Sequence, residues 1–177
     1  MKQFRLSAAL AAAALLALGA GATPVFATEV GGSVWTLEGN RVVTVQGQGR
    51  DDQVLGSAVL TFDGVPADRT GTCTMQVYKQ NGDLAATYPC TWKAPKKGNS
   101  FSITLDVAEL TAALQAEATE SYGVPTVVVV KSQDNHGVIR QQGTNMKLVM
   151  RTRGSVQAEG DKKRNVAILI KGTGGHS

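Results

Sequence analysis

Side chains that carry chemistry are scarce in this 177-residue chain: it has two histidines and two cysteines, and only 5% of it is aromatic. His176 is the penultimate residue, and His136 stands in Asp134-Asn135-His136-Gly137, a turn composition. Neither is placed to act as a general base or to join the ligand set of a zinc site, so no metal is expected. The chain also lacks a Gly-x-Ser-x-Gly elbow and a Ser-x-x-Lys at the start of a plausible helix, which removes the common serine hydrolases. Gly47-Gln48-Gly49 continues as Arg50-Asp51-Asp52 with no third glycine and no following helix, so it is a loop and no nucleotide cofactor is expected. Beyond the N-terminal segment no apolar run approaches the ~20 residues of a membrane-spanning helix. The few aromatics there (Trp35, Phe62, Tyr78, Tyr88, Trp92, Phe101, Tyr122) do not supply the two interfacial girdles of an outer-membrane barrel. Composition is otherwise ordinary, 42% hydrophobic and 18% charged with 20 glycines, which excludes collagen, coiled coil and wholesale disorder.

Residues 1–27 have the parts of a secretory signal. Lys2 and Arg5 form a basic start, Ala8 to Leu18 an apolar run, and Val25-Phe26-Ala27 a small-residue exit. Cleavage is expected after Ala27, with Ala22 the alternative, leaving residues 28–177 as one domain in the periplasm or outside the cell. The signal takes two basic residues with it, so the 18 basic and 14 acidic residues of the whole chain become 16 and 14, and the net charge falls to +2. That balance gives no reason to expect a nucleic-acid partner.

Cys73 and Cys90 suit an oxidising compartment, and their spacing makes a sharper statement. Asn81-Gly82 is the strongest two-residue hairpin signal, because a type I′ turn needs positive φ at both central residues. In that hairpin, opposed residues have numbers that sum to 163, as Cys73 and Cys90 do. The same register sets Met75 against Tyr88, Val77 against Ala86 and Gly71 against Trp92 on an apolar face, with Thr72 and Thr91 on the other. A cross-strand disulfide is predicted, at a non-hydrogen-bonded position where Cα atoms approach to about 4.5 Å. Pro89, which cannot donate to a ladder, predicts an edge or a bulge at its position.

Most of the remainder reads as short strands between Gly, Asn and Asp turns. Ser33–Leu37 and Arg41–Val45 flank Gly39-Asn40 as a hairpin that sets Glu38 opposite Arg41. Val54–Phe62 follows a polar loop and places Val54, Ala58, Leu60 and Phe62 on one face. Ser100–Leu105 is another strand. From Asp106 to Ala118 the apolar residues Val107, Leu110 and Leu114 take helical spacing behind an Asp106/Glu109 capping box, which predicts a short crossover helix. Val124–Lys131 and Val166–Ile170 are apolar at nearly every position and read as strands buried on both faces. Ser132–Gly137 reads as a turn before Val138–Gln142, Met146–Arg153 alternates, and the ends Thr28–Gly32 and Gly172–Ser177 read as loose. Turns near every tenth residue predict a mainly β, single-domain antiparallel β-sandwich, Ig-like or related, with one short helix.

Two groups of side chains are candidates for function. Lys147, Arg151 and Arg153 lie on one face of a strand, and Lys162-Lys163-Arg164 in a loop beside it, within a C-terminal segment of nine basic and three acidic residues. Such a patch suits an anionic polymer, against the plainer reading of a solvated sheet face. The carboxylates Asp51/Asp52 and Asp63/Asp68 stand in loops, where they are solvated acids, a calcium site without the EF-hand spelling, or the acids of a small hydrolase. The leading expectation is an exported non-enzymatic protein acting in binding or assembly at the envelope or outside the cell, its partner another envelope protein or an anionic polymer. Chaperone-assembled pilins do not fit, since the cysteines are a tight hairpin pair and the chain lacks an aromatic terminal strand. The alternatives are the secreted hydrolase and a small-ligand carrier, the latter requiring a barrel closed around an apolar cavity.

Overall fold

A computed structural model describes residues 30–96, 98–140 and 144–176; the expected secretory segment, 1–27, lies outside them. In chain order the elements are β1 (Val34–Val45), β2 (Gly49–Phe62), β3 (Thr70–Tyr78), β4 (Leu84–Lys93), β5 (Ser100–Leu105), α1 (Val107–Tyr122), β6 (Thr126–Arg140), β7 (Asn145–Ala158) and β8 (Arg164–His176). The eight strands follow one another antiparallel around a single closed barrel, and β8 returns to pair with β1 from Trp35↔His176 to Val45↔Val166. The sandwich expectation is therefore wrong. Both architectures share the same in-out alternation, and what separates them is the pairing of the first strand with the last.

Strand length is the reason the short-strand reading failed. Gly39-Asn40 is not a turn: β1 runs through it, with a register shift against β2 between Glu38 and Asn40. Glu38 lies opposite Ser57 and Arg41 opposite Gln53, so the pair expected to face each other do not. Ser132–Gly137 likewise lies inside β6, which absorbs its irregularity as a bulge between Val130 and Ser132 opposite Gly154. A Cβ at Gly154 would overlap the Val129 carbonyl, so the bulge requires glycine there. Strands of 14, 15, 14 and 13 residues result for β2, β6, β7 and β8. The all-valine and all-aliphatic segments are not buried on both faces either. Val127 and Val129 point outward and stand 59% and 42% exposed, because only one face of a barrel strand meets the core.

The β3–β4 hairpin holds the predicted register from Thr70↔Lys93 through Cys73↔Cys90 to Val77↔Ala86. Cys73 and Cys90 are within disulfide distance, with Cα atoms 4.8 Å apart. Thr74 and Pro89 keep the register, and the bulge falls instead between Val77 and Tyr78, where the chain uses a longer turn closed by Lys79 N–H to Asp83 O at 2.8 Å. Neither the expected edge nor a bulge falls at Pro89: past the last β4–β5 pair, Cys90↔Leu105, its carbonyl accepts from Asp106 N–H at 3.0 Å, and only its missing donor goes unused.

One end of the barrel is filled by rings. Phe62 meets Trp92 and Phe101 edge to face, with centroids 5.8 and 5.3 Å apart, and Trp35 meets His176 in the same way at 5.2 Å. The Phe101 ring lies over Gly137, its cross-strand neighbour, in the space a side chain would take. The described parts of both expected loose ends are ordered at this end: Val30 is fully buried and β8 continues to His176.

At the other end the wall is incomplete. β2 pairs with β3 only from Ala58 onward, and β5 meets β6 only at Asn135–Val138. Helix α1 lies along this opening. Tyr122 Oη donates to Gln48 Oε1 at 2.7 Å, while on the other flank Gln115 Oε1 accepts from Val128 N–H at 3.4 Å. Gln133 bonds both the N–H and the carbonyl of Leu105, satisfying the end of β5 where strand pairing stops.

The helix starts where the capping box was read and runs one turn further, to Gly123 in the left-handed region at φ 68°. Asp106 accepts from the N–H groups of Ala108 and Glu109 at 2.9 and 3.0 Å. Asp106→Ala is expected to cost about 1 kcal/mol, seen as a lower urea midpoint with an unchanged slope; an unchanged midpoint would show that packing alone holds the helix.

Candidate functional site

The core side chains alternate along every strand, and their parity defines the interior. Trp35 and Leu37 on β1, Ala58, Leu60 and Phe62 on β2, Met75 on β3, and Met146, Leu148 and Met150 on β7 point inward. Outward positions carry Glu38, Lys147, Arg151 and Arg153, all exposed. Apolar inside and charged outside is the reverse of the alternation in a lipid-spanning barrel.

Below the ring-filled end the interior is not full. A cavity of about 110 Å³ lies between the strands and α1, lined by Leu37, Ala58, Met75, Leu114, Met150 and Ile170 among others. Apolar cavities of this order stay dry and accept small hydrocarbons, as an engineered one of about 150 Å³ does with benzene.

Arg41 brings a charge to this lining from the barrel wall. Arg41 follows Trp35, Leu37 and Gly39 on the inward parity of β1, and its side chain is 13% exposed. It is neutralised by Glu117 from α1, with Arg41 Nη1 2.5 Å from Glu117 Oε1. Tyr88, inward on β4, completes the polar margin of the cavity. Burial pushes its hydroxyl above the ordinary tyrosine pKa; Arg41 opposes that shift and Glu117 adds to it.

The basic residues read from the sequence are only partly gathered. Lys147, Arg151 and Arg153 do share the outer face of β7, and Lys171, opposite Val149 on β8, joins them. Arg151 is 3.4 Å from Asp134. Lys162 and Lys163 lie in the β7–β8 turn, beyond the end of that stripe. Arg164 does not join: its guanidinium is turned onto Asp161 at 3.1 Å and its side chain is 18% exposed. The Lys162 backbone N–H and then Arg164 hold the Asp161 carboxyl below the usual carboxylate range. An open groove of about 660 Å³ crosses this outer face, with Arg50, Arg151, Arg153 and Lys171 around Val42, Val54 and Leu169.

The four carboxylates do not form a site. Asp51 and Asp52 are in β2 rather than a loop, on opposite faces of the strand. Asp52 is held by Arg50 at 2.8 Å, and Asp51 accepts from Gln53 at 2.6 Å. Asp63 and Asp68 follow the far end of β2, bonded to Thr72 and to the Val65 N–H. Among the described residues there is no group of three or more His, Cys, Asp or Glu side chains able to hold a metal ion. His136 lies in β6 with Nδ1 3.8 Å from Asp134.

Sequence reasoning missed Arg41, Tyr88 and Glu117 as a group. The signal was a charge on the inward parity of β1, and it was lost when Gly39-Asn40 was read as a turn, because a turn resets the alternation.

No protein-family model matches the chain, and no curated protein matches it significantly. A structural-genomics protein of unknown function from Bacteroides ovatus, with a crystal structure at 2.40 Å resolution, superposes with a TM-score of 0.33 and 9% sequence identity. The alignment covers 82% of this chain and 44% of that one, so the chain spans less than half of that protein's length. A likeness of this degree carries no argument about fold or function.

Proposed function

We propose that the protein is an exported, non-enzymatic binding protein that takes a small apolar group into its barrel. The cavity beneath α1 carries the reading: it is lined mostly by aliphatic side chains and thioethers, with a few polar groups, Arg41, Tyr88 and Glu117 among them, as in small-ligand sites. Export rests on the basic, apolar and small-residue order of residues 1–27, and on a cysteine pair suited to an oxidising compartment. At about 0.8 kcal/mol for each buried methylene, set against several kcal/mol for association, a chain short enough to fit binds weakly and is read at high ligand concentration.

The methionines provide the test. Met75 and Met150 line the cavity, whereas Met146 is buried outside it. With 13C-methyl-labelled methionine, 1-hexanol is expected to shift the Met75 and Met150 signals in a saturable way and to leave Met146 in place. Ala58→Phe, which fills the cavity from β2, is expected to abolish both shifts. Equal movement of all three signals, or of none, would sink the proposal.

A further inference from the structure

We infer that the bound molecule is a short-chain carboxylate, whose tail enters the cavity and whose head takes Arg41 from Glu117. The inference rests on the cavity reading and adds the ligand's charge.

Arg41 makes the head group specific. A guanidinium at the margin of an aliphatic cavity needs an anion, since an unpaired charge out of water is costly. It carries several donors in a planar fork that matches a carboxylate two for two. Glu117 meets it through Nη1 alone. Among the described residues Arg41 has no other hydrogen-bond partner, so the fork has capacity left.

The two acids competing for Arg41 would differ in what they lose. Glu117 is 48% exposed on the outer part of α1, so its carboxylate returns to water at little cost. A ligand carboxylate tethered to a buried tail has no such alternative once the tail is seated, and the tail's burial favours it over Glu117. Tyr88 strengthens the match. It lines the same cavity, and its hydroxyl makes no hydrogen bond among the described residues, leaving a donor for the second ligand oxygen. An amine would meet Arg41 with like charge, and an alcohol would leave Arg41 with Glu117. The site already accepts a carboxylate, that of Glu117, which sets the geometry for the head group.

Binding then breaks the Arg41–Glu117 link between β1 and α1, so the helix is both wall and competitor. Glu117 keeps Arg41 neutralised while the cavity is empty, and its release accompanies loading.

Hexanoate, 1-hexanol and hexylamine, titrated into the labelled full chain at neutral pH and low salt, separate these effects at the Met75 and Met150 signals. Hexanoate is expected to bind at least about tenfold more tightly than 1-hexanol, the scale of one charge-assisted hydrogen bond, and hexylamine more weakly than either. Arg41→Gln should bring hexanoate to the level of 1-hexanol measured in the same variant. Glu117→Gln should tighten hexanoate by about two- to fivefold by removing its competitor, the scale of a partly exposed ion pair, with circular dichroism of the variant checking that the fold is kept. Hexanoate binding no better than 1-hexanol, or indifferent to Glu117→Gln, overturns the inference while leaving the cavity reading intact. If none of the three moves either signal, the cavity reading fails and takes the inference with it.

Discussion

Phe62→Ala is expected to lower the free energy of unfolding by about 3–5 kcal/mol, measured from urea unfolding at constant slope. Phe62 is 1% exposed and lies between two rings, Trp92 of β4 and Phe101 of β5. Truncation removes its own burial and both edge-to-face contacts, each of which adds about 0.5–1.5 kcal/mol beyond area. The surroundings cannot collapse into the space, because Phe101 is already seated against the Gly137 backbone. A loss below about 1.5 kcal/mol, the scale of a tolerated volume-conserving swap, would show that the ring-filled end does not hold the barrel closed.

The second large effect is the loss of the Cys73–Cys90 bridge. The cysteines are 17 residues apart in sequence, and closing a loop of that length restricts the unfolded chain by about 3 kcal/mol. The double variant Cys73→Ser/Cys90→Ser is expected to lose about that much stability, and the unmodified protein under reducing conditions should fall to the same guanidinium midpoint. If reductant leaves the midpoint of the unmodified protein where it was, the bridge contributes nothing. The native hairpin itself should survive in the variant. Its register is set independently by the alternation of Met75, Val77, Tyr88 and Trp92 toward the core.

The two predictions differ in how legible their basis was. The hairpin was readable to the residue because its information is local: one turn, one cysteine pair and one alternation, all within 20 or so positions and mutually consistent. The turn itself came out longer than Asn81-Gly82 implied, but the bulge between Val77 and Tyr78 absorbed the difference and spared the register. The helix was readable for the same reason, from Asp106 and the spacing of Leu110 and Leu114. Phe62 was placed on its correct face, yet nothing near it in sequence announces Phe101 or Trp92.

Errors clustered where a polar or glycine-bearing stretch can be either a turn or an irregular stretch of strand. Gly39-Asn40 and Asp134-Asn135-His136-Gly137 have turn composition, and both lie within continuous strands. Each misreading had a cost beyond its own span. The first hid Arg41 from the inward parity, and the second hid the length of β6. Val54, expected beside Ala58 and Leu60, faces outward at 68% exposure, because the register shift on β2 changes the parity between them.

By itself the sequence determined the alternation, the hairpin and its cysteine pair, the helix with its cap, and the mainly β character. All of these follow from periodicity and turn chemistry over short spans. Closure, the cavity and the meeting of Arg41 with Glu117 were decided only in three dimensions. Those features depend on β1 pairing with β8 and on α1 lying across an unpaired stretch of wall, contacts between residues up to about 140 positions apart that leave no local pattern.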